Sequence, residues 1–237
     1  MTPLRWDPAA APIVVVVGTV TVCYLAFHYL AGPAVARRLF GPPDGAALRT
    51  AVAFWRRGVG FVLLGVVPLT VLTVGLGAEP TAYGLSLDDA GLSLILAAVT
   101  LLVMVPLIAL QSRRPWFHHH YPEARFTEWT RGREAASAGA WLVYLVAYEV
   151  FFRGFMLFGL AHQLGPWPAI VITTAAYVFV HLGKNAGEGV GSLLVGLLYG
   201  AVALHTGSIL MPLVVHWVTA VAADLLAVTH HPEMTRT

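Results

Sequence analysis

Seven apolar stretches recur along the chain, at roughly 12–30, 58–76, 92–110, 138–160, 167–182, 189–204 and 209–228. A membrane-crossing helix needs about 20 mostly apolar residues, and in hydrocarbon a single stretch of that length satisfies its backbone polar groups only as a helix. The expected fold is therefore an all-α polytopic membrane protein with about seven transmembrane helices. Composition agrees, because 58% of the residues are apolar and 11% charged, where a soluble domain has roughly 25% charged. The fifth and sixth stretches are short, which allows tilt or partial burial in protein. Pro68 and Pro106 fall inside the second and third and are expected to kink them.

Basic residues set the expected orientation. Arg37, Arg38, Arg49, Arg56 and Arg57 lie between the first two stretches, and Arg113, Arg114, Arg125, Arg131 and Arg133 between the third and fourth; Lys184 and Arg236 share their side. Only Arg5 lies opposite, so the N-terminus is expected outside and the C-terminus in the cytoplasm, within the plasma membrane. The first stretch has one Arg before it and Arg37 and Arg38 after it, which reads as a retained anchor rather than a cleaved signal. The connection 111–136 mixes arginines with Trp116, Phe117, Tyr121, Phe126 and Trp129, as an interfacial segment on the cytoplasmic leaflet would. His118, His119 and His120 within it are consecutive, so on a helix they point about 100° apart, and they read as a solvated cluster rather than a metal tract. A net charge of +2 with dispersed basic residues offers no nucleic-acid footprint. The single cysteine, Cys23, permits no internal disulfide and reads as a small packing or lipid-facing residue.

Ionisable residues at membrane depth cost about 2.5–3.5 kcal/mol each on insertion scales and mark functional sites. They concentrate late in the chain: Glu149 and Arg153 in the fourth stretch, His181 at the end of the fifth, His216 and Asp224 in the seventh. His28 in the first stretch is an outlier. Glu149 and Arg153 stand one helical turn apart in the favourable order for an ion pair, and a pair that merely neutralises itself is the bland reading. Burial raises the pKa of a carboxylate and a neighbouring guanidinium lowers it, a balance that suits a general base. Counting 1.5 Å per residue from the cytoplasmic ends puts Glu149 about 16 Å deep and His216 about 18 Å, one common level. By the same rise Asp224 lies about 12 Å from His216 along the axis, nearer the cytoplasm, where Lys184 or His181 are its expected partners. Tyr177 precedes His181 by one turn, and Glu188 follows Lys184 in the turn after the fifth stretch. Gly187-xxx-Gly191 and Gly196-xxx-Gly200 offer small-residue faces for close helix packing.

Three of these motifs together resemble the CPBP family, the type II CAAX prenyl proteases and bacteriocin-processing enzymes, which are glutamate-dependent intramembrane proteases. The family pattern Glu-Glu-x-x-x-Arg appears as Tyr148-Glu149-Val150-Phe151-Phe152-Arg153-Gly154. Phe-x-x-x-His appears as Tyr177-Val178-Phe179-Val180-His181, and His-x-x-x-Asn/Asp as His216-Trp217-Val218-Thr219-Ala220. The resemblance covers roughly 141–228. It implies Glu149 as the base, His181 and His216 as residues that bind water or stabilise the oxyanion, and Arg153 as the residue holding the carboxylate. Tyr148 stands where the family has its first Glu, and Ala220 where it has Asn or Asp, leaving Thr219 or the distant Asp224 as substitutes. On this reading 1–136 holds three transmembrane helices and the cytoplasmic loop, and 137–237 a four-helix catalytic core, in one integrated membrane domain.

The resulting expectation is an intramembrane endopeptidase that cleaves a membrane-anchored protein or peptide near its membrane segment or C-terminus. The resemblance implies a metal-independent site, although Glu149, His181 and His216 are residue types that suit zinc. Thirteen of the 14 basic residues are Arg, a bias of GC-rich bacterial genomes that would make prenyl-CAAX processing itself an unexpected task. Two other readings remain open: a catalytically inactive protein of this fold acting in peptide binding or immunity, and a transporter using Glu149 and His216 as a proton relay.

Overall fold

A computed structural model describes residues 7–41, 45–182 and 186–237; Arg5 and Lys184 lie outside the described residues. A short 3-10 turn, capped by the Asp7 side chain, leads into α1, Ala11–Leu30. Next come α2, Pro33–Phe40, and a long rod, α3, Ala46–Gly75. Then follow α4, Ala90–Gln111, the short α5, Pro115–His120, and the two-residue strand β1, Glu128–Trp129. The C-terminal half is α6, Arg131–Leu164; α7, Pro166–Phe179; α8, Ala186–Thr206; α9, Leu210–His230; and β2, Thr235–Arg236. Six of these helical rods are long and apolar enough to cross a membrane, and the shorter apolar α7 supplies the seventh stretch. The chain is an all-α polytopic membrane protein.

The second stretch begins earlier than expected. The helix starts at Ala46, so Arg49, Arg56 and Arg57 ride on α3 instead of a loop, and Arg57 is 3% exposed. Around Pro68 the rod runs π-helical on both sides, over Phe61–Val66 and Val71–Gly75. A missing proline N–H and its ring are accommodated by such local rewinding.

α6 is the central helix. Of its most apolar 18-residue window, 83% is buried, against 11–39% for the other five long rods. The Thr130 side chain caps its first turn, accepting from the Arg133 N–H, and Gly165 at φ 83° with Pro166 after it ends the rod and starts α7. From Val150 to Phe158 the rod is a nine-residue π-helix whose residues are all buried. Gly154 sits in it because a Cβ there would lie 3.3 Å from the Tyr83 carbonyl oxygen. α8 packs on α7 through Gly196, against Thr174, and Gly200, against Ile170; Gly191 meets nothing within 4 Å, so of the two small-residue faces only the second has packing at both glycines.

The loops divide into two groups. At one end Trp55 donates to the Leu30 carbonyl, the Arg125 N–H to Thr50, and β1 pairs in parallel with β2 (Glu128 with Thr235, Trp129 with Arg236). At the other end the Ile209 N–H bonds the Gly84 carbonyl and Ser208 the Ser86 carbonyl. These contacts bring the connections after α1 and α4 and the segment after α9 to one end, and those after α3 and α8 to the other. The connection 111–136 departs from a purely interfacial segment: Phe117 and Trp129 are buried in the protein, and only Trp116 among its tryptophans is exposed.

Candidate active site

The site grows from the point where α6 passes from α-helical to π-helical winding. Glu149 is the last α-helical residue, and the π segment carries Arg153. π-helical turns inside longer helices are uncommon and gather at functional sites. Arg153 Nη1 lies 3.2 Å from both Glu149 oxygens, and the two side chains are 1% and 0% exposed. The guanidinium is sandwiched by aromatics, 4.2 Å from the Tyr177 ring centre and 5.1 Å from that of Tyr199, with Phe152 at 5.8 Å. A charged pair at this depth is tolerable because α6 faces protein on nearly all sides and each charge has the other.

α9 brings His216 to the same level. Its Nδ1 is 2.7 Å from Glu149 Oε1, and its side chain is 21% exposed. The Tyr148 ring meets it edge-on, with centroids 5.4 Å apart and planes at 84°, and Tyr199 lies at 6.4 Å. From Tyr148 a run of rings continues through Tyr177, at 6.1 Å, to His181, 4.5 Å beyond. His181 does not prolong α7, which ends at Phe179; it stands in the following turn, its N–H bonded to the Val178 carbonyl and its Nδ1 2.8 Å from the Tyr177 carbonyl. That carbonyl can only accept, so Nδ1 carries a proton.

Two of the remaining sequence candidates, Thr219 and Asp224, have their partners elsewhere. Thr219 donates to the Val215 and His216 carbonyls of its own helix, so it does not hold the His216 ring. Glu188 lies in the first turn of α8. Asp224 accepts from Trp141 Nε1 at 2.8 Å, Ser137 Oγ at 3.2 Å and the Glu123 N–H at 3.1 Å, and lies 3.8 Å from Arg57. These partners come from α3, α6 and the loop before β1; the expected meeting with His181 is replaced by a clamp at the end where β1 pairs with β2. Arg57 also stacks on Trp141 at 4.0 Å and lies 3.6 Å from Glu123. Sequence reasoning missed Tyr199, an aromatic in an apolar helix with no local signal, and Arg57, which its neighbour Arg56 disguised as a loop charge. Among the described residues no three His, Cys, Asp or Glu side chains are gathered so as to hold a metal ion.

No curated protein and no solved structure matches the chain. Residues 135–222 match the family model described as type II CAAX prenyl endopeptidase Rce1-like. That span contains Glu149, Arg153, Tyr177, His181 and His216 and stops short of Asp224. The segment that builds the buried Glu149–Arg153–His216 group is thus similar, over residues 135–222, to the Rce1-like type II CAAX prenyl endopeptidase family.

Proposed function

We propose that the protein is an intramembrane endopeptidase that cleaves a membrane-anchored protein or peptide close to its membrane segment or C-terminus. One observation carries the reading: an imidazole, His216, sits 2.7 Å from a fully buried carboxylate, Glu149, at membrane depth. A carboxylate and an imidazole in hydrogen-bond contact can take a proton from water and return it to a leaving amine. His181, reached through the Tyr148 and Tyr177 rings, is assigned to the carbonyl being attacked, where a cationic ring would offset the oxyanion. Arg153 holds Glu149, with Tyr177 lining its guanidinium. Hydrolysis here needs no metal, so chelators are expected to leave the rate unchanged. The N-terminus is assigned outside and the C-terminus to the cytoplasm, within the plasma membrane.

The test uses the full chain reconstituted in proteoliposomes with quenched-fluorescent peptides of two kinds. One ends in a farnesylated Cys-aliphatic-aliphatic-X sequence, and the other carries a single membrane span with its flanks. Cleavage of either, lowered by about 10²-fold or more in His216→Ala, supports the reading. If the wild type cleaves neither, or His216→Ala cleaves as fast at equal membrane levels, the protease reading fails. Binding of a peptide without cleavage would instead favour an inactive protein of this fold, for which Tyr148 and Ala220 are the sequence marks.

A further inference from the structure

The two members of the Glu149–His216 pair are not equally placed to touch a substrate. Glu149 is 0% exposed, and Oε1 is occupied by His216 Nδ1 and Arg153 Nη1. Oε2, 3.2 Å from Arg153, is sealed inside the protein without a hydrogen bond. His216 alone of the pair reaches the surface, with 21% of its side chain open. A general base must lie within hydrogen-bond reach of the proton it removes, and only the imidazole meets that requirement without rearrangement.

The hydrogen bond also decides where the imidazole proton sits. A guanidinium does not deprotonate in proteins, and one only 1% exposed needs an anion beside it, so Glu149 is the carboxylate. A carboxylate only accepts; Nδ1 of His216 therefore donates to Oε1, and in the neutral ring Nε2 keeps its lone pair. The edge-on Tyr148 ring and the Tyr199 ring beside it limit rotation of the imidazole.

We infer that His216 Nε2 is the general base of the hydrolysis and that Glu149 is a positioning residue acting through His216, the reverse of the base role that the family resemblance implies for Glu149. This assignment rests on the endopeptidase reading. A water oxygen bonds to the scissile carbonyl carbon as one of its protons passes to His216 Nε2, and the carbonyl π pair moves onto the oxygen. The tetrahedral adduct then re-forms the carbonyl and breaks the C–N bond, and the Nε2 proton goes to the departing amine. Water is consumed, His216 ends neutral, and no other reactant is required.

Two measurements on the full chain test this. The first is ¹⁵N NMR of imidazole-labelled protein in micelles, with His216 identified by difference from His216→Gln. A proton on Nδ1 and a bare Nε2 are expected, with that preference lost in Glu149→Gln; a proton on Nε2 overturns the assignment. The second is a double-mutant cycle on a peptide the wild type cleaves. His216→Ala is expected to lower kcat by about 10²–10⁴-fold with little change in KM. Glu149→Gln should lower it by about 10²-fold in the wild type yet add no further loss to His216→Ala, because residues acting as a unit are not additive. Equal losses in both backgrounds would show that Glu149 takes the proton on its own. The NMR arm needs no folded Glu149 variant to be decisive. Absence of cleavage by the wild type would overturn the protease reading and the base role with it, whereas a protonated Nε2 beside intact cleavage overturns only the division of labour argued here.

Discussion

Arg153 is held on three sides by Tyr177, Tyr199 and Phe152 and on the fourth by Glu149, so its contribution to the site is fixed by geometry as well as charge. Arg153→Met leaves Glu149 as a buried charge without its partner, and breaking a buried pair in this way costs about 3–5 kcal/mol. Thermal unfolding in detergent should show that loss. Replacing both partners, Glu149→Gln with Arg153→Met, is expected to recover most of the stability while leaving cleavage impaired, since no uncompensated charge is then buried and His216 can still hydrogen-bond the amide. A double variant no more stable than Arg153→Met would mean that the two charges do not neutralise one another. Arg153→Lys separates charge from shape: it keeps the cation but loses the planar face that lies against Tyr177, so it should retain more stability than Arg153→Met and less than the parent.

At the level of helices, the α7–α8 contact positions Tyr199, and Gly196 is its closest point. A Cβ there would stand 2.9 Å from Thr174 Cγ2, so Gly196→Val overpacks the interface, a change that typically costs about 1–3 kcal/mol. It should also slow cleavage by moving Tyr199 relative to Arg153 and His216. Gly191→Ala, with nothing within 4 Å, is the control expected to behave as wild type in both assays. Helix number and the common depth of Glu149 and His216 were legible because both follow from hydropathy and a constant rise per residue. Helix ends were not. Arg56 and Arg57 look like a flank to any local reading, yet α3 begins at Ala46 and Arg57 is buried because Asp224, Ser137 and Trp141, about 80 residues or more away in the chain, receive it. His181 lies past the end of α7 and is linked to the site through an edge-on Tyr148–Tyr177 contact and a tilted Tyr177–His181 contact, a route that no periodicity encodes.

Across the whole molecule, residues 235–237 close the end that carries β1. β2 pairs with β1, Arg236 pairs with Glu134 in the first turn of α6, and the Thr235 and Thr237 N–H groups bond the Thr127 and Trp129 carbonyls. His231, just past α9, is a titratable group beside this closure. Its pKa is lowered by burial first, then by Arg125 and the His118 ring 5.3 Å away, with Glu233 opposing them. Arg125 Nη1 lies 3.3 Å from Nε2, a contact that only a ring nitrogen without a proton can accept. The docked tail therefore binds a proton less readily than the free tail. By linkage its docking is at full strength above the ordinary histidine value of about 6.5, and weakens as pH falls through the lowered value of the docked state. Hydrogen exchange at Thr235 and Thr237, corrected for intrinsic rates, should show protection near pH 7.5 that falls near pH 5, where about a fully charged His231 is expected in the free tail. His231→Gln should flatten that pH dependence, because Arg125, His118 and Glu233 remain but the ring that must stay neutral is gone. Protection in the wild type that is equal at both pH values would instead mean that the strand pairing and the Arg236–Glu134 pair hold the tail without regard to His231.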